Sequence, residues 1–363
     1  MNTLIICNTP YQILNAVNVI VNNVEGVRAE STDILIDMTF NNADIVGEAL
    51  LNNNLCKDVF FVSKKCEKFK RSKFRCIIDL VTGNFHEEIF DFSDNNVKRK
   101  RYDMLWVGDD SPLGLLIFDR NKHSKVYWYD DGVLSYSKAP PALNHAVYDK
   151  IASVLKFGGY KYGSKIVYLN NADMVQYANY DIRQLPRYSR ENVASGILKK
   201  VFDYQKERTV LREYKFIILS QVYPTSAEYA GLDISCLLNN TQVDFSKVLI
   251  RKHPRDRQDY QGCVIDNGAN MWEIECLENL SNNHILVACC STAQITPKML
   301  ADKEPYIIFL YRILLGDASA VRSGCEKLVN SIRDVYSDKS KVCVPNTLEE
   351  FKAEISKLVG EVV

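Results

Sequence analysis

The 363-residue chain carries no excess of charge: Lys plus Arg equals Asp plus Glu, at 45 each. No global field therefore draws it to nucleic acid. No apolar run approaches the ~20 residues that cross a bilayer, so no spanning helix is expected. The eleven cysteines lack metal-type spacing. Cys7, Cys56, Cys66 and Cys76 form no Cys-x-x-Cys pair, and Cys289-Cys290 lies inside an apolar run. Zinc is not expected; reduced thiols packed as small apolar side chains are. The opening Met1-Asn2-Thr3-Leu4-Ile5-Ile6-Cys7 has no basic region or cleavage site and reads as a first strand. The chain is accordingly expected to fold in the cytoplasm. Internal repeats and low-complexity segments are absent as well. With 47% hydrophobic and 25% charged residues, the composition is that of a globular protein, not a disordered or fibrous one.

What is present is length and alternation. A single core stops growing near ~250–300 residues, so two domains are expected. Strand-like and helix-like patterns alternate from end to end, which argues for parallel α/β sheets. In the first half the spacing predicts strands at Leu4–Cys7, Asp33–Met38, Asp58–Val62, Met104–Val107, Val126–Tyr129 and Lys165–Leu169. Helices are predicted at Tyr11–Asn23 and Ala43–Asn53, the first opened by a Thr9 cap and by Pro10 at its first position. Residues 171–212, polar and rich in Tyr and Arg, read as a connection with one helix at Ala194–Arg208. The pattern then restarts. Strands are predicted at Tyr214–Leu219, Val248–Ile250, His284–Ala288 and Tyr306–Leu310. Helices are predicted at Glu228–Leu238, Met271–Leu280, Ala293–Leu300, Ala318–Tyr336 and Thr347–Val359. The expected fold is α/β of GT-B type: two Rossmann-like, doubly wound domains, 1–170 and 213–363, facing across a cleft.

Two polar turns follow strand-like runs, where α/β proteins keep ligand chemistry. The first is Tyr129-Asp130-Asp131-Gly132 and the second Arg251-Lys252-His253-Pro254-Arg255. Adjacent carboxylates raise each other's pKa, which suits Asp130 or Asp131 to general-base work, with Asp131 favoured. The rival chemical reading is a Mg²⁺ site, since paired carboxylates also hold hard cations. His253 is suited to donate a hydrogen bond or proton to a departing phosphate, with Lys252 and Arg255 keeping its surroundings positive. Ser291 and Thr292, at the start of a helix, form a phosphate cradle with its exposed N–H groups. Their strand is expected beside the one ending at His253. Glu273, in a first helical turn, can accept both hydroxyls of a ribose. Each site also has a plain alternative: a solvated turn, a strand-ending turn, an N-cap, a first-turn acid. The basic run Lys98-Arg99-Lys100-Arg101 reads as a solvated loop, with contact to an anionic membrane surface as the alternative.

Asn8-Thr9-Pro10-Tyr11-Gln12, Asp130-Asp131-Gly132, His253-Pro254 and Ser291-Thr292, in this order, resemble the bacterial sialyltransferases of GT-B type, glycosyltransferase family 52. The matches are islands of a few residues spread over nearly the whole chain. The resemblance implies CMP-sialic acid as donor, a galactose-terminated glycan or glycolipid as acceptor, an α-2,3 linkage, inversion, and no cofactor or metal. The product expected is a capsule, O-antigen or lipooligosaccharide capped with sialic acid. By position, His253 resembles the residue assisting CMP departure, Ser291 and Thr292 the phosphate pair, and Glu273 the ribose ligand. Lys252 and Pro254 join the donor side, while Thr9, Gln12 and Gly132 are assigned to acceptor or donor sugar. Some relatives place the base after the first strand of the second domain, where this chain offers only Glu228. The base therefore stays open between Asp131 and Glu228. The family includes enzymes resembling glucosyltransferases, which leaves a UDP-sugar as the alternative donor. A non-catalytic sugar-nucleotide-binding protein is the third reading. Peripheral contact with the inner face of the plasma membrane and a homodimer complete the expected partners.

Overall fold

In the computed structural model, the residues described are 1–64, 90–94, 96–109, 111–121, 123–132, 134–137, 165–175, 177, 179–221, 243–253, 256–315 and 320–360. The apolar run Thr3–Cys7 forms β1, buried at every position. Helix α1, Pro10–Val21, follows: the Thr9 hydroxyl accepts from the Gln12 amide, and Pro10, whose missing N–H costs nothing there, takes the first turn. The chain continues through β2 (Thr32–Asp37), α2 (Ala43–Asn52), β3 (Asp58–Lys64), β4 (Phe90–Phe92), α3 (Asn96–Arg99) and β5 (Met104–Val107). Then come α4 (Pro112–Arg120), β6 (Lys125–Tyr129), α5 (Leu134–Ser137), β7 (Ile166–Leu169), β8 (Asp181–Gln184) and α6 (Val193–Val201). These strands make one sheet in the order β4-β3-β2-β1-β5-β6-β7-β8, parallel except for antiparallel β4. Its centre is aromatic: Trp106 stacks on Tyr127 with ring centroids 4.8 Å apart.

The second series runs β9 (Phe216–Leu219), β10 (Val248–Arg251), β11 (Val264–Asp266), α7 (Trp272–Glu278), β12 (Ile285–Ala288), α8 (Thr292–Ala301) and β13 (Tyr306–Phe309). It closes with α9 (Tyr311–Leu314), α10 (Ala320–Val335), β14 (Val342–Cys343) and α11 (Leu348–Gly360). The sheet order is β11-β10-β9-β12-β13-β14, all parallel. Leu211, Ile217, Leu249, Trp272, Cys276 and Leu286 pack in one buried cluster that joins α7 to this sheet.

The chain divides into two units. One comprises Met1–Ala172, Gln176–Pro186 and Gly196–Phe202; the other comprises Asp173–Val175, Arg187–Ser195 and Asp203–Val363. Strand β8 falls in the stretch read from sequence as connection, yet it extends the first sheet. Asp-Ile-Arg-Gln has no apolar alternation to announce a strand; pairing with β7 and the Arg183 ion pairs to Glu25 and Asp181 hold it. Strand β12 does not lie beside β10 as expected, because β9 sits between them where the winding reverses. All three are parallel, so their C-terminal ends still share one edge. The helix expected at Glu228–Leu238 lies outside the described residues.

The basic run is turned inward more than a solvated loop would be. Lys98 lies over the Phe92 ring, Lys100 bridges Asp33 and Asp58, and Arg101 donates to the Arg120 carbonyl. No helix among the described residues is long and apolar enough to cross a membrane. The described cysteines are free thiols, Cys7, Cys56, Cys276, Cys289 and Cys325 among them buried.

Candidate functional site

In an open α/β sheet, ligands bind outside the carboxyl ends of the strands where the winding reverses. In the first unit that point lies between β1 and β5, in the second between β9 and β12. The residues that follow these strands and their neighbours carry most of the chemistry named above.

After β6, Asp130 and Asp131 part company. Asp130 is fully buried, and its carboxylate accepts from the Gly132 amide (2.8 Å), the Asn170 amide (2.9 Å), the Asn170 side chain and the Tyr136 hydroxyl. Gly132 has φ +90°, a backbone only glycine adopts readily, and this lets its N–H turn back to Asp130. The sequence reading places Asp130 among the catalytic carboxylates and Gly132 against a sugar. The geometry gives both the task of fixing this turn, since no oxygen of Asp130 is open to an incoming molecule.

Asp131 is half-buried, and its carboxyl is pushed up to about 7. Burial is the main cause; the nearby Asp109 adds to it, a hydrogen bond from Gln12 opposes it, and Asp130 adds a little more. Asp109 follows β5 directly, and Asn8, following β1, donates from its side-chain amide to both its oxygens (3.0 and 2.9 Å). Gln12 on α1 reaches Asp131 with its Nε2 at 2.5 Å and accepts the Asn8 amide on its Oε1. Gln12, expected from sequence to face a sugar, is fully buried, with its side-chain nitrogen on Asp131. Thr9 is spent on the α1 cap. Polar residues continue down the same helix. Asn15 holds the Asp130 carbonyl, and Asn18 the Pro186 carbonyl.

In the second unit, His253 follows β10, with its amide on the Ser220 hydroxyl at 2.9 Å. Lys252 turns its amine to the Gln258 carbonyl (2.7 Å), which ties down the loop it belongs to. Arg251, almost buried, pairs with Asp266 at 2.6 Å and lies over Trp272. The Glu273 carboxyl is raised by burial, against its own backbone N–H and Arg251, which lower it. Ser291 caps α8 in a reciprocal box with Gln294, while Thr292 is exposed in the first helical position. The side-chain amide of Gln221, just after β9, bonds both N–H and C=O of Cys290 at 3.1 Å, clamping the loop before Ser291. Thus Ser291, Thr292 and His253 all stand at the C-terminal edge, two strands apart. Pro254 and Glu228 lie outside the described residues. Among the described residues, no group of three or more His, Cys, Asp or Glu is placed to hold a metal ion.

No protein-family model and no curated protein matches the chain. Among solved structures it is similar to a sialyltransferase from Photobacterium damsela. Identity is 13% and the TM-score 0.50, over 95% of this chain and 81% of that one. It is also similar to the glycotransferase of kitacinnamycin, at 8% identity and TM-score 0.51, over 98% and 90% of the two chains. The fold is that of the GT-B glycosyltransferases. At such identities the likeness is one of fold, and the residues carry the rest of the argument.

Gly108, Asp109 and Gln221 join the site without being expected from sequence, as do the contacts of Asn8 to Gln12 and Asp109. The signal that marks Asp131, a polar turn after an apolar strand, is equally present at Val107-Gly108-Asp109. For Asn8 and Gln221 the sheet order was needed, because only it reveals which strand ends meet in the GT-B halves.

Proposed function

We propose that the protein is an inverting glycosyltransferase that moves sialic acid from CMP-sialic acid to a terminal galactoside of a bacterial surface glycan, without a metal. The observation that carries this reading is Asp131: a half-buried carboxylate one strand from the winding reversal, beside Asp109, with a proton affinity near neutrality. A general base works best when its pKa lies near the operating pH. Asp131 takes the proton of the acceptor hydroxyl as that oxygen bonds to the anomeric carbon. The bond from that carbon to the phosphate oxygen breaks, and its electron pair leaves with CMP. His253 gives a hydrogen bond or proton to the departing phosphate, and Ser291, Thr292 and the first N–H groups of α8 receive its charge. Glu273 accepts the ribose hydroxyls. In this reading 1–170 serves the acceptor and 213–363 the donor. The resemblance of the ordered motifs to those of family 52 supports sialic acid as the sugar.

The test is nucleotide release from CMP-sialic acid and from UDP-glucose, each with and without lactose. Lactose-dependent release of CMP is expected. Release of UDP alone would replace the reading with a hexosyl transferase on the same scaffold, and release of neither with a binding protein.

A further inference from the structure

The fully buried amide of Gln12 is aligned without ambiguity. The Asn8 backbone N–H can only donate, so the Gln12 oxygen must face it and the Gln12 nitrogen must face Asp131. Only Oδ1 of Asp131 is engaged in this way; its Oδ2 has no donor among the described residues. The path between α1 and Asp131 runs across Gly108. A Cβ on that residue would stand 2.8 Å from Cδ of Gln12, closer than real side chains approach. Asp109, the next residue, accepts on both its carboxylate oxygens from the one side-chain nitrogen of Asn8. Asn8 therefore fixes both neighbours of Asp131 at once: Gln12 through its backbone and Asp109 through its side chain.

We propose that Gln12 is the positioning residue of Asp131, that Gly108 is a glycine to admit it, and that Asn8 holds Gln12 and Asp109 on either side of the carboxylate so that one oxygen stays open to the reacting hydroxyl. This deepens the reading of Asp131 as base and rests on it. The two neighbours act in opposite senses. Gln12 donates to the ionised carboxylate and favours it, while the like charge of Asp109 disfavours it. Among the described residues, the other titratable groups around them are Asp130, Tyr129 with Cys7 beside it, and Asp37 with Lys64 beyond Asp109.

The test is a carbon-13 NMR titration of the Asp131 carboxyl in the full chain, alongside kcat and KM across pH. Gln12→Met removes the donor at nearly equal length, and Asp109→Asn removes the charge. The expected result is an upward move of the Asp131 titration in the first variant and a downward move in the second. The acid limb of the rate profile follows in the same directions. In Gln12→Met, kcat falls about 10–100-fold with donor KM unchanged, as for a misplaced catalytic group. Gly108→Ala should reproduce the Gln12→Met titration. Shifts in one common direction, or none, would overturn the proposal, because general loosening of the site cannot produce opposite signs. Opposite shifts with turnover intact would uphold the positioning and overturn Asp131 as base instead.

Discussion

Asp130 and Asp131 are consecutive in the chain and opposite in environment. One is sealed under hydrogen bonds from Tyr136, Asn170 and Gly132; the other stands beside Asp109 and Gln12 with one oxygen that no donor among the described residues engages. The pair thus divides its labour, Asp130 shaping the turn and Asp131 standing at its open edge.

Removing the two carboxylates should separate these roles. Asp130→Ala leaves the Asn170 and Gly132 amides and the Tyr136 hydroxyl without an acceptor. A buried donor left without an acceptor costs about 1–3 kcal/mol. Thermal or urea unfolding should register that loss for Asp130→Ala and not for Asp131→Asn.

Kinetics should assign the base. Asp131→Asn keeps size and most hydrogen bonding, and is expected to bind CMP but turn over at least about a hundredfold more slowly. Glu228→Gln should stay within about tenfold of the parent. The reverse pattern would move the base to Glu228.

Stability against pH offers a check that needs no substrate. The Asp131 carboxyl holds its proton to about 7 in the folded protein, against an ordinary 3.8. Between those values the folded chain binds a proton that the unfolded chain has released, so this group's contribution to stability falls as pH rises through the interval. Above it the loss is complete; below 3.8 it vanishes. Asp131→Asn should therefore match the parent melting temperature near pH 4 and exceed it at pH 8. Equal curves at both pH values would contradict the raised proton affinity.

Donor identity can be read from ligand-induced melting shifts. CMP at about 100 times its dissociation constant adds roughly 2.7 kcal/mol. It should stabilise the protein more than UMP or UDP does; equal or greater protection by UDP would favour a UDP-sugar.

Metal dependence has its own outcome. Turnover should survive excess EDTA, since His253, Ser291, Thr292 and the start of α8 are proposed to carry the phosphate charge. Activity lost in EDTA and restored by Mg²⁺ would return Asp131 to metal ligation.

The central strands were legible because their apolar runs are continuous: Met104–Val107 has the predicted limits, and β1, β6 and β12 differ from theirs by one residue at the N-terminal end. Strands β4, β8, β11 and β14 were not, being two to four residues long and defined by the neighbour they pair with. At the site, Asp131 was legible from the strand-then-turn rule. The burial of Gln12 and its bond to Asp131 were not, because a glutamine two residues after a proline says nothing of its own surroundings. Asn8 and Asp109 meet across 101 residues of chain, a proximity that the strand order β1-β5 creates.

The outermost strands also bear on how copies of this chain can meet. A foreign strand laid against β14 would find two residues to pair with, and against β4 or β11 three. Against β8 it would meet Asp181 and Arg183, already engaged with each other. Short or charged margins are how sheets avoid templating fibrils. The protein should consequently stay free of cross-strand aggregation at concentrations where its unfolded apolar runs would not.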